Sequence, residues 1–270
     1  MERFWTEVLA FCQTTTKALA EELVTQFAKL PAIRKQDGSL VTQADQWTDQ
    51  EIRDRLAKHF PSHGVLTEET EHIFPDNDWC WIVDPIDGTT NFTRGIPIWG
   101  IALGLLYKGT PVFGFVHFPL LNDSFWGYWL EGSGLTGTSG AFLNGDRIQT
   151  SSDNPSQNHL FTFCARSTEI LTQPFPCKAR LLGVASYNVL LVASGTALGG
   201  VEKIPKIWDI AAVWPILKAA GGSFISLNQD SIFPLTVGHN YGDRPFPCLY
   251  TSRDDLIKLF HPLVAPITKS

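Results

Sequence analysis

This chain lacks the features that would point a reader toward membranes, zinc or disulfides. Its longest mostly apolar run, residues 96–107, is too short to span a bilayer and is interrupted by Gly100 and Gly104. The N-terminus, Met1-Glu2-Arg3-Phe4-Trp5-Thr6-Glu7, has no basic start followed by an apolar core, so no signal segment is expected. The five cysteines, Cys12, Cys80, Cys164, Cys177 and Cys248, are odd in number and far apart, and form neither a CxxC pair nor a Cys/His zinc spacing. We expect reduced thiols, most of them buried, in a cytosolic (cytoplasmic) protein. The seven histidines show no H-x-x-H or H-E-x-x-H pattern, which speaks against zinc. No G-x-S-x-G elbow occurs, so a serine hydrolase has no support. Positive charge is not in excess. The formal net charge of −6 argues against a nucleic-acid partner and suits a site that draws cations. Repeats and low-complexity segments are missing too.

What is present is the composition of a globular enzyme with a sizeable core: 270 residues, 44% hydrophobic and 18% charged. That length allows one large domain or two lobes in one body. Nine tryptophans read as core and interface packing. Phe4, Val8, Phe11, Cys12, Leu19, Leu23 and Phe27 recur at helical spacing and predict a helix over 3–29, stopped by Pro31. A loop around Asp37-Gly38 follows. A second helix is expected over 45–59, with Asp45 as its N-cap, Thr48 and Glu51 as a secondary capping signal, and Pro61 at its end. Residues 81–83 read as a short buried strand. Residues 98–107 and 112–118 read as a hairpin around Lys108-Gly109, and 125–130 continue one antiparallel sheet. After a polar stretch near Thr150, strands are expected at 160–164, 223–226 and 248–251. Helices are expected at 186–193, at 209–220 (closed by Gly221-Gly222) and from Asp254 onward. Strands and helices arrive in blocks, which predicts an α+β fold, with sub-lobes of about 1–149 and 150–270 sharing one cleft.

The chemistry concentrates in Trp81-Ile82-Val83-Asp84-Pro85-Ile86-Asp87-Gly88-Thr89-Thr90-Asn91-Phe92. Asp84 and Asp87 stand three residues apart where an apolar strand ends, and a Gly-Thr-Thr turn with free backbone donors follows. Carboxylates concentrate hard cations such as Mg²⁺, and a glycine turn entering a helix can cradle a phosphate. The Ile86 carbonyl can add an oxygen ligand. A lone Asp-x-x-Asp is ordinarily a surface Asx turn. Pro85, Gly88, Thr89 and Thr90 in register move the reading to metal and phosphate. Thr67-Glu68-Glu69 follows Val65-Leu66, so a carboxylate at a strand end can bind metal or orient water, although an acidic pair by itself is commonly just exposed. Trp208-Asp209-Ile210-Ala211-Ala212 starts a helix, where an aspartate is ordinarily a cap. Lys35, Asp45 and Thr89 taken singly are a loop cation, a cap and a turn residue.

Asp84-Pro85-Ile86-Asp87-Gly88-Thr89-Thr90-Asn91-Phe92 together with Trp208-Asp209-Ile210-Ala211-Ala212 closely resembles the inositol monophosphatase family of lithium-sensitive, magnesium-dependent phosphatases. The resemblance extends over nearly the whole chain. Leu40-Val41-Thr42-Gln43-Ala44-Asp45 is similar to the segment before the family's second helix, Ser139-Gly140-Ala141-Phe142-Leu143-Asn144-Gly145 to its mid-chain turn, and Gly221-Gly222 to the glycines after the Trp-Asp helix. The implied fold is a layered α/β/α/β/α sandwich, and the implied assembly is a homodimer. By the resemblance, Glu68, Asp84, Asp87, Asp209 and the Ile86 carbonyl are the ligands of two or three Mg²⁺ ions. Glu69 matches the second glutamate of the family's pair. Gly88 and Thr89 match the phosphate cradle. Thr89 and Asp45 match a hydrogen-bonded pair beside the attacking water, which Glu68 also orients. Lys35 matches a base near the metal loop. Asp87, Ala185 and Glu202 match contacts to the alcohol part of the substrate.

Val184 departs from the pattern, standing where a hydroxyl residue often follows the glycine matching Gly183. Lys203 and Lys206 lie between Glu202 and Asp209. They are either a solvated loop or an attractor for a second anionic group. The implied activity is phosphomonoester hydrolysis by activated water, with inositol 1-phosphate as the first substrate. Histidinol phosphate comes next, since Glu202 suits an ammonium as well as hydroxyls, followed by fructose 1,6-bisphosphate and 3′-phosphoadenosine nucleotides. A regulatory binding protein on the same scaffold is the non-enzymatic rival.

Overall fold

In the computed structural model, which describes residues 2–34, 40–171, 174–228 and 230–268, two helices precede the first sheet. Helix α1 (Glu2–Gln26) buries Trp5, Val8, Phe11, Cys12, Leu19 and Leu23 along one stripe. A short ladder, β1 (Ile33–Arg34) against β2 (Leu40–Val41), leads into α2 (Gln43–His59). The α2 boundary differs from the expectation. Thr42, not Asp45, is the N-cap, and Asp45 sits at the third helical position of a reciprocal capping box. The expected loop at Asp37-Gly38 lies outside the described residues.

Seven strands follow: β3 (Gly64–Thr67), β4 (Trp79–Asp87), then past helix α3 (Thr89–Arg94), β5 (Gly100–Tyr107), β6 (Thr110–Phe118), β7 (Asp123–Tyr128), β8 (Gly140–Leu143) and β9 (Asp146–Ile148). They lie in one sheet in chain order, antiparallel except for the parallel pair β3 and β4. Strand β4 alternates by the two-residue period of a strand. Trp81 and Val83 join the core under α1 and α2, while Cys80 and Ile82 face the opposite cluster. It runs longer than the three residues expected, because its register shifts between Asp84 and Asp87, around Pro85, which cannot donate to the ladder.

The second sheet takes β10 (Leu160–Phe163), β11 (Lys178–Arg180), β12 (Gly199–Glu202), β13 (Ser223–Ser226) and β14 (Cys248–Thr251), in the order β11-β10-β12-β14-β13. Between the sheets lie α4 (Ala185–Ala193), α5 (Ile207–Ala211) and α6 (Val213–Ala219), and α7 (Asp254–Val264) covers the outer face. The order of layers is therefore helix, sheet, helix, sheet, helix, as the resemblance implies. The single helix expected over 209–220 is two, broken at Ala212. Pro215 is the reason: it has no N–H for the Ala211 carbonyl, and its ring crowds that carbonyl. The break packs hard on the first sheet, and a Cβ at Gly114 would stand 1.7 Å from the Ala212 carbonyl oxygen. Among the described residues, no helix is long and apolar enough to cross a membrane.

Candidate active site

A cavity of about 410 Å³ opens where the two sheets and the helices between them meet. The end of β4 forms one wall. Pairing runs from Trp79 to Asp84 against β5, slips, and resumes at Asp87, which turns both aspartates toward the cavity. Asp84 is 1% exposed and Asp87 6%. The Ile86 amide donates to Asp84 Oδ1 at 3.1 Å, and the Ser186 amide, 99 residues further on, donates to Asp87 Oδ2 at 2.7 Å. Asp209, in the first turn of α5, accepts from the Lys206 amide at 2.6 Å. Oxygens of Asp84, Asp87 and Asp209 lie within 4.8 Å of one another.

Among the described residues, no cationic side chain pairs with these three acids. Burial first, and then the charges of Glu68, Asp87, Asp209 and Asp45, push the Asp84 carboxyl well above its ordinary range. Asp209 is raised well above its range by burial and then by Asp87. Asp87 is raised by burial, against the opposing bonds from Ser186 and Ala185. Buried acids crowded in this way are costly unless a cation or protons compensate them. The donor set is all oxygen and anionic, the chemistry a hard divalent ion takes and a soft one does not. The residues present therefore fit Mg²⁺.

Gly88 enters α3 at φ +93°, a left-handed conformation natural to glycine, and a Cβ there would meet Val184 Cγ2 at 2.7 Å. Val184, the departure from the family pattern, thus packs directly against the turn. In the first turn of α3 the backbone donors of Thr89 and Thr90 have no carbonyl one turn earlier. The Thr89 hydroxyl stands 3.1 Å from Asp45 Oδ1 and 3.1 Å from the Ile86 carbonyl, one proton between two acceptors. Asp45 is held by the capping box, its Oδ2 accepting from the Thr42 amide at 2.7 Å and hydroxyl at 2.6 Å. Glu68 lines the same cavity from the turn after β3.

The opposite wall carries Glu202, the last residue of β12, 5% exposed. Burial lifts its carboxyl to about 7, although Asn188, Cys164 and Tyr250 hold it by hydrogen bonds. Asn188 Nδ2 donates to Oε1 at 2.8 Å and the Tyr250 hydroxyl at 3.3 Å. Ala185 lines the cavity at the start of α4.

Asp45, Glu68, Asp84, Ile86, Asp87, Gly88, Thr89, Ala185, Glu202 and Asp209 are thereby brought to one place. Glu69, half-buried, is not among the lining residues. Lys203 and Lys206 also stay out of the lining; Lys203 Nζ pairs with Glu169, and Lys206 Nζ donates to the Gly242 carbonyl. Lys35 lies outside the described residues.

Asn188, Cys164, Tyr250, Arg166 and Asn91 escaped the sequence reading as site residues. Asn91 Nδ2 bridges the Ile98 carbonyl at 2.9 Å and the Leu182 carbonyl at 2.8 Å, tying the two walls together. Asn188 had one available signal: it lies one turn along the helix that begins at Ala185. Tyr250 reaches Glu202 from β14 and Cys164 from just past the end of β10, which no local spacing reveals.

Known proteins resemble this chain in sequence and in fold. The model of the inositol monophosphatase family matches residues 5–253. A histidinol-phosphatase of Chlorobaculum parvum is 34% identical over 204 residues, covering 72% of this chain and 74% of the relative. A fructose-1,6-bisphosphatase/inositol-1-monophosphatase of Thermotoga maritima is 34% identical, covering 74% and 77%. The solved structure of an IMPase of Thermotoga maritima superposes with a TM-score of 0.78 at 27% identity, over 100% of this chain and 97% of that one.

Proposed function

The chain belongs to the inositol monophosphatase family, and from that premise we propose that it is a Mg²⁺-dependent phosphomonoesterase that hydrolyses inositol 1-phosphate, or a similar small alcohol phosphate, to the alcohol and inorganic phosphate. That it is a phosphoric monoester hydrolase follows from the family and its named relatives. The observation that carries the metal is the trio of buried Asp84 and Asp87 with half-buried Asp209, gathered with no cationic side chain among the described residues to balance them. With the Ile86 carbonyl and Glu68, they are the proposed ligands. Mg²⁺ held there supplies charge neutralisation for the phosphate, a lowered pKa for water and stabilisation of the leaving alkoxide.

The remaining work falls to the chain itself. The backbone amides of Gly88, the N-cap of α3, and of Thr89 in its first turn bind phosphate oxygens and set the ester in line. The Thr89 hydroxyl donates to Asp45 Oδ1, so Thr89 Oγ1 turns a lone pair toward the cavity and accepts a hydrogen bond from the attacking water; a proton taken from that water by Oγ1 is matched by passage of the hydroxyl proton to Asp45. Glu68 orients the same water. Asp87, Ala185 and Glu202 receive the alcohol, with Asn188 holding Glu202 in place. No covalent phosphoenzyme is required.

Histidinol phosphate is the second reading. It is favoured by the 34% identity to a histidinol-phosphatase and by a buried carboxylate, Glu202, able to receive an ammonium. A reducing, cytoplasmic setting suits five free thiols, four of them buried, and a homodimer is the assembly carried by the family resemblance.

The test is phosphate release with Mg²⁺ from inositol 1-phosphate, histidinol phosphate, fructose 1,6-bisphosphate and 3′-phosphoadenosine 5′-phosphate. A clear maximum of kcat/KM names the substrate class. No turnover of any, with Mg²⁺ still bound, overturns the reading in favour of a regulatory binding protein.

A further inference from the structure

Among the described residues, the cavity lining holds five carboxylates, those of Glu68, Asp84, Asp87, Glu202 and Asp209, and one basic side chain, Arg166. Arg166 sits in a short 3₁₀ turn (Ala165–Ile170) at the end of β10 and is exposed. No ion pair or hydrogen bond engages its guanidinium among the described residues. The two lysines of the neighbouring loop are already taken, Lys203 by Glu169 and Lys206 by the Gly242 carbonyl, and neither lines the cavity.

The backbone on either side of Arg166 is hydrogen-bonded through Cys164 and Ser167. The Ser167 amide donates to the Cys164 carbonyl at 2.9 Å, and the Cys164 amide to the Val201 carbonyl at 3.3 Å. The Ser167 hydroxyl lies 2.6 Å from the Cys164 thiol and 3.4 Å from the Val201 carbonyl oxygen. Val201 precedes Glu202 on β12, so Arg166 rides on the strand pair that carries the alcohol-binding carboxylate. A planar guanidinium fixed at its base and unpaired at its tip suits a bidentate oxyanion contact.

The buried acids end of the cavity belongs to the reacting phosphate. An anion that Arg166 meets is therefore a different group, on the alcohol side of the ester. We propose that Arg166 is a specificity residue for a second anionic group, and that this site prefers phosphate monoesters that carry a further phosphate or carboxylate. This rests on the phosphatase reading above and names its substrate class. It also gives the role first considered for Lys203 and Lys206 to a different residue.

The test compares kcat/KM for three esters in the Mg²⁺-loaded protein. Fructose 1,6-bisphosphate carries a second phosphate, 2-phosphoglycerate a carboxylate, and inositol 1-phosphate neither. In Arg166→Ala the ratio of the doubly anionic ester to inositol 1-phosphate falls by about fivefold to tenfold, mainly through KM, and Arg166→Lys recovers part of it. Loss for the bisphosphate alone names phosphate as the second group; loss for 2-phosphoglycerate alone names carboxylate. Lys206→Ala, with the same charge change, leaves the ratio in place. A ratio unchanged in Arg166→Ala, or an equal fall for all three esters, overturns the proposal. If no ester is hydrolysed, the phosphatase reading fails on its own and calorimetric binding of the same esters decides. A Kd ratio insensitive to Arg166→Ala then overturns this proposal too.

Discussion

Asp84 is the residue on which the site turns. It is buried among other acids and, among the described residues, hydrogen-bonded only to a backbone amide. Asp84→Asn removes a proposed ligand while keeping shape and the Ile86 bond. We expect kcat/KM to fall by more than about two orders of magnitude. The same variant should raise the melting temperature of the protein in EDTA, because one of the mutually repelling buried charges is gone. A variant with near-normal turnover would sink the mechanism. A different titration acts at His63, which accepts from Trp81 Nε1 at 3.1 Å and which burial lowers to about 4. Its unfolded value is higher, so the unfolded chain takes up the proton first as pH falls. The stability His63 contributes is complete above about 6.5 and is lost as pH drops toward 4. The group is only half-buried, so after discounting for solvent the effect is about 1 kcal/mol. His63→Phe, which keeps the ring stacking but cannot titrate, should flatten the loss of stability between pH 6.5 and 5 in denaturant melts of the Mg²⁺-loaded protein.

At the scale of elements, secondary structure and chemistry share the same atoms. The capping box of α2 uses Asp45 Oδ2 to finish the helix and leaves Oδ1 for Thr89. Thr42→Ala should therefore cost about 1–2 kcal/mol of stability, read by chemical denaturation. It should also lower kcat more than it raises KM, since it loosens the Asp45–Thr89 pair and not the substrate pocket. A change in KM alone would uncouple the cap from the chemistry. The slip in β4 is a second case. Pro85 interrupts the ladder just where Asp84 and Asp87 must both face the cavity. That strand end and its Gly-Thr-Thr turn were legible as a motif, because their geometry is set within a few residues. The break at Ala212 was not. The apolar run over 209–220 reads as one helix, and Pro215 could have flagged the interruption. Its consequence, close packing on Gly104 and Gly114, depends on a sheet formed a hundred residues earlier.

At the scale of the whole molecule, the folded chain stores repulsion that a cation relieves. The raised carboxyls of Asp84, Asp87 and Asp209 have folded values above their unfolded ones. The stability they contribute is complete below their unfolded range and is lost as pH rises through the folded values. In EDTA this cluster favours the protein at pH 5 over pH 8. Mg²⁺ should add about 2.7 kcal/mol at a hundred times its Kd, reversibly and most strongly at the higher pH, as read by thermal melts. A melting temperature indifferent to Mg²⁺ at pH 8 would remove the metal from the account.

The sequence by itself determined the family, the order of most strands and helices, and the identity of the acids near Asp84 and Asp209. These follow from residue period, proline and glycine stops, and two short motifs, all local in the chain. Only the tertiary structure decided that Ser186 holds Asp87 from 99 positions away, and that Asn188, Cys164 and Tyr250 converge on Glu202. It alone left Arg166, and neither nearby lysine, at the cavity. The physical reason is range. Steric and hydrogen-bonding preferences of the backbone act over a few residues, whereas contacts between distant side chains depend on sheet register and on how the layers pack.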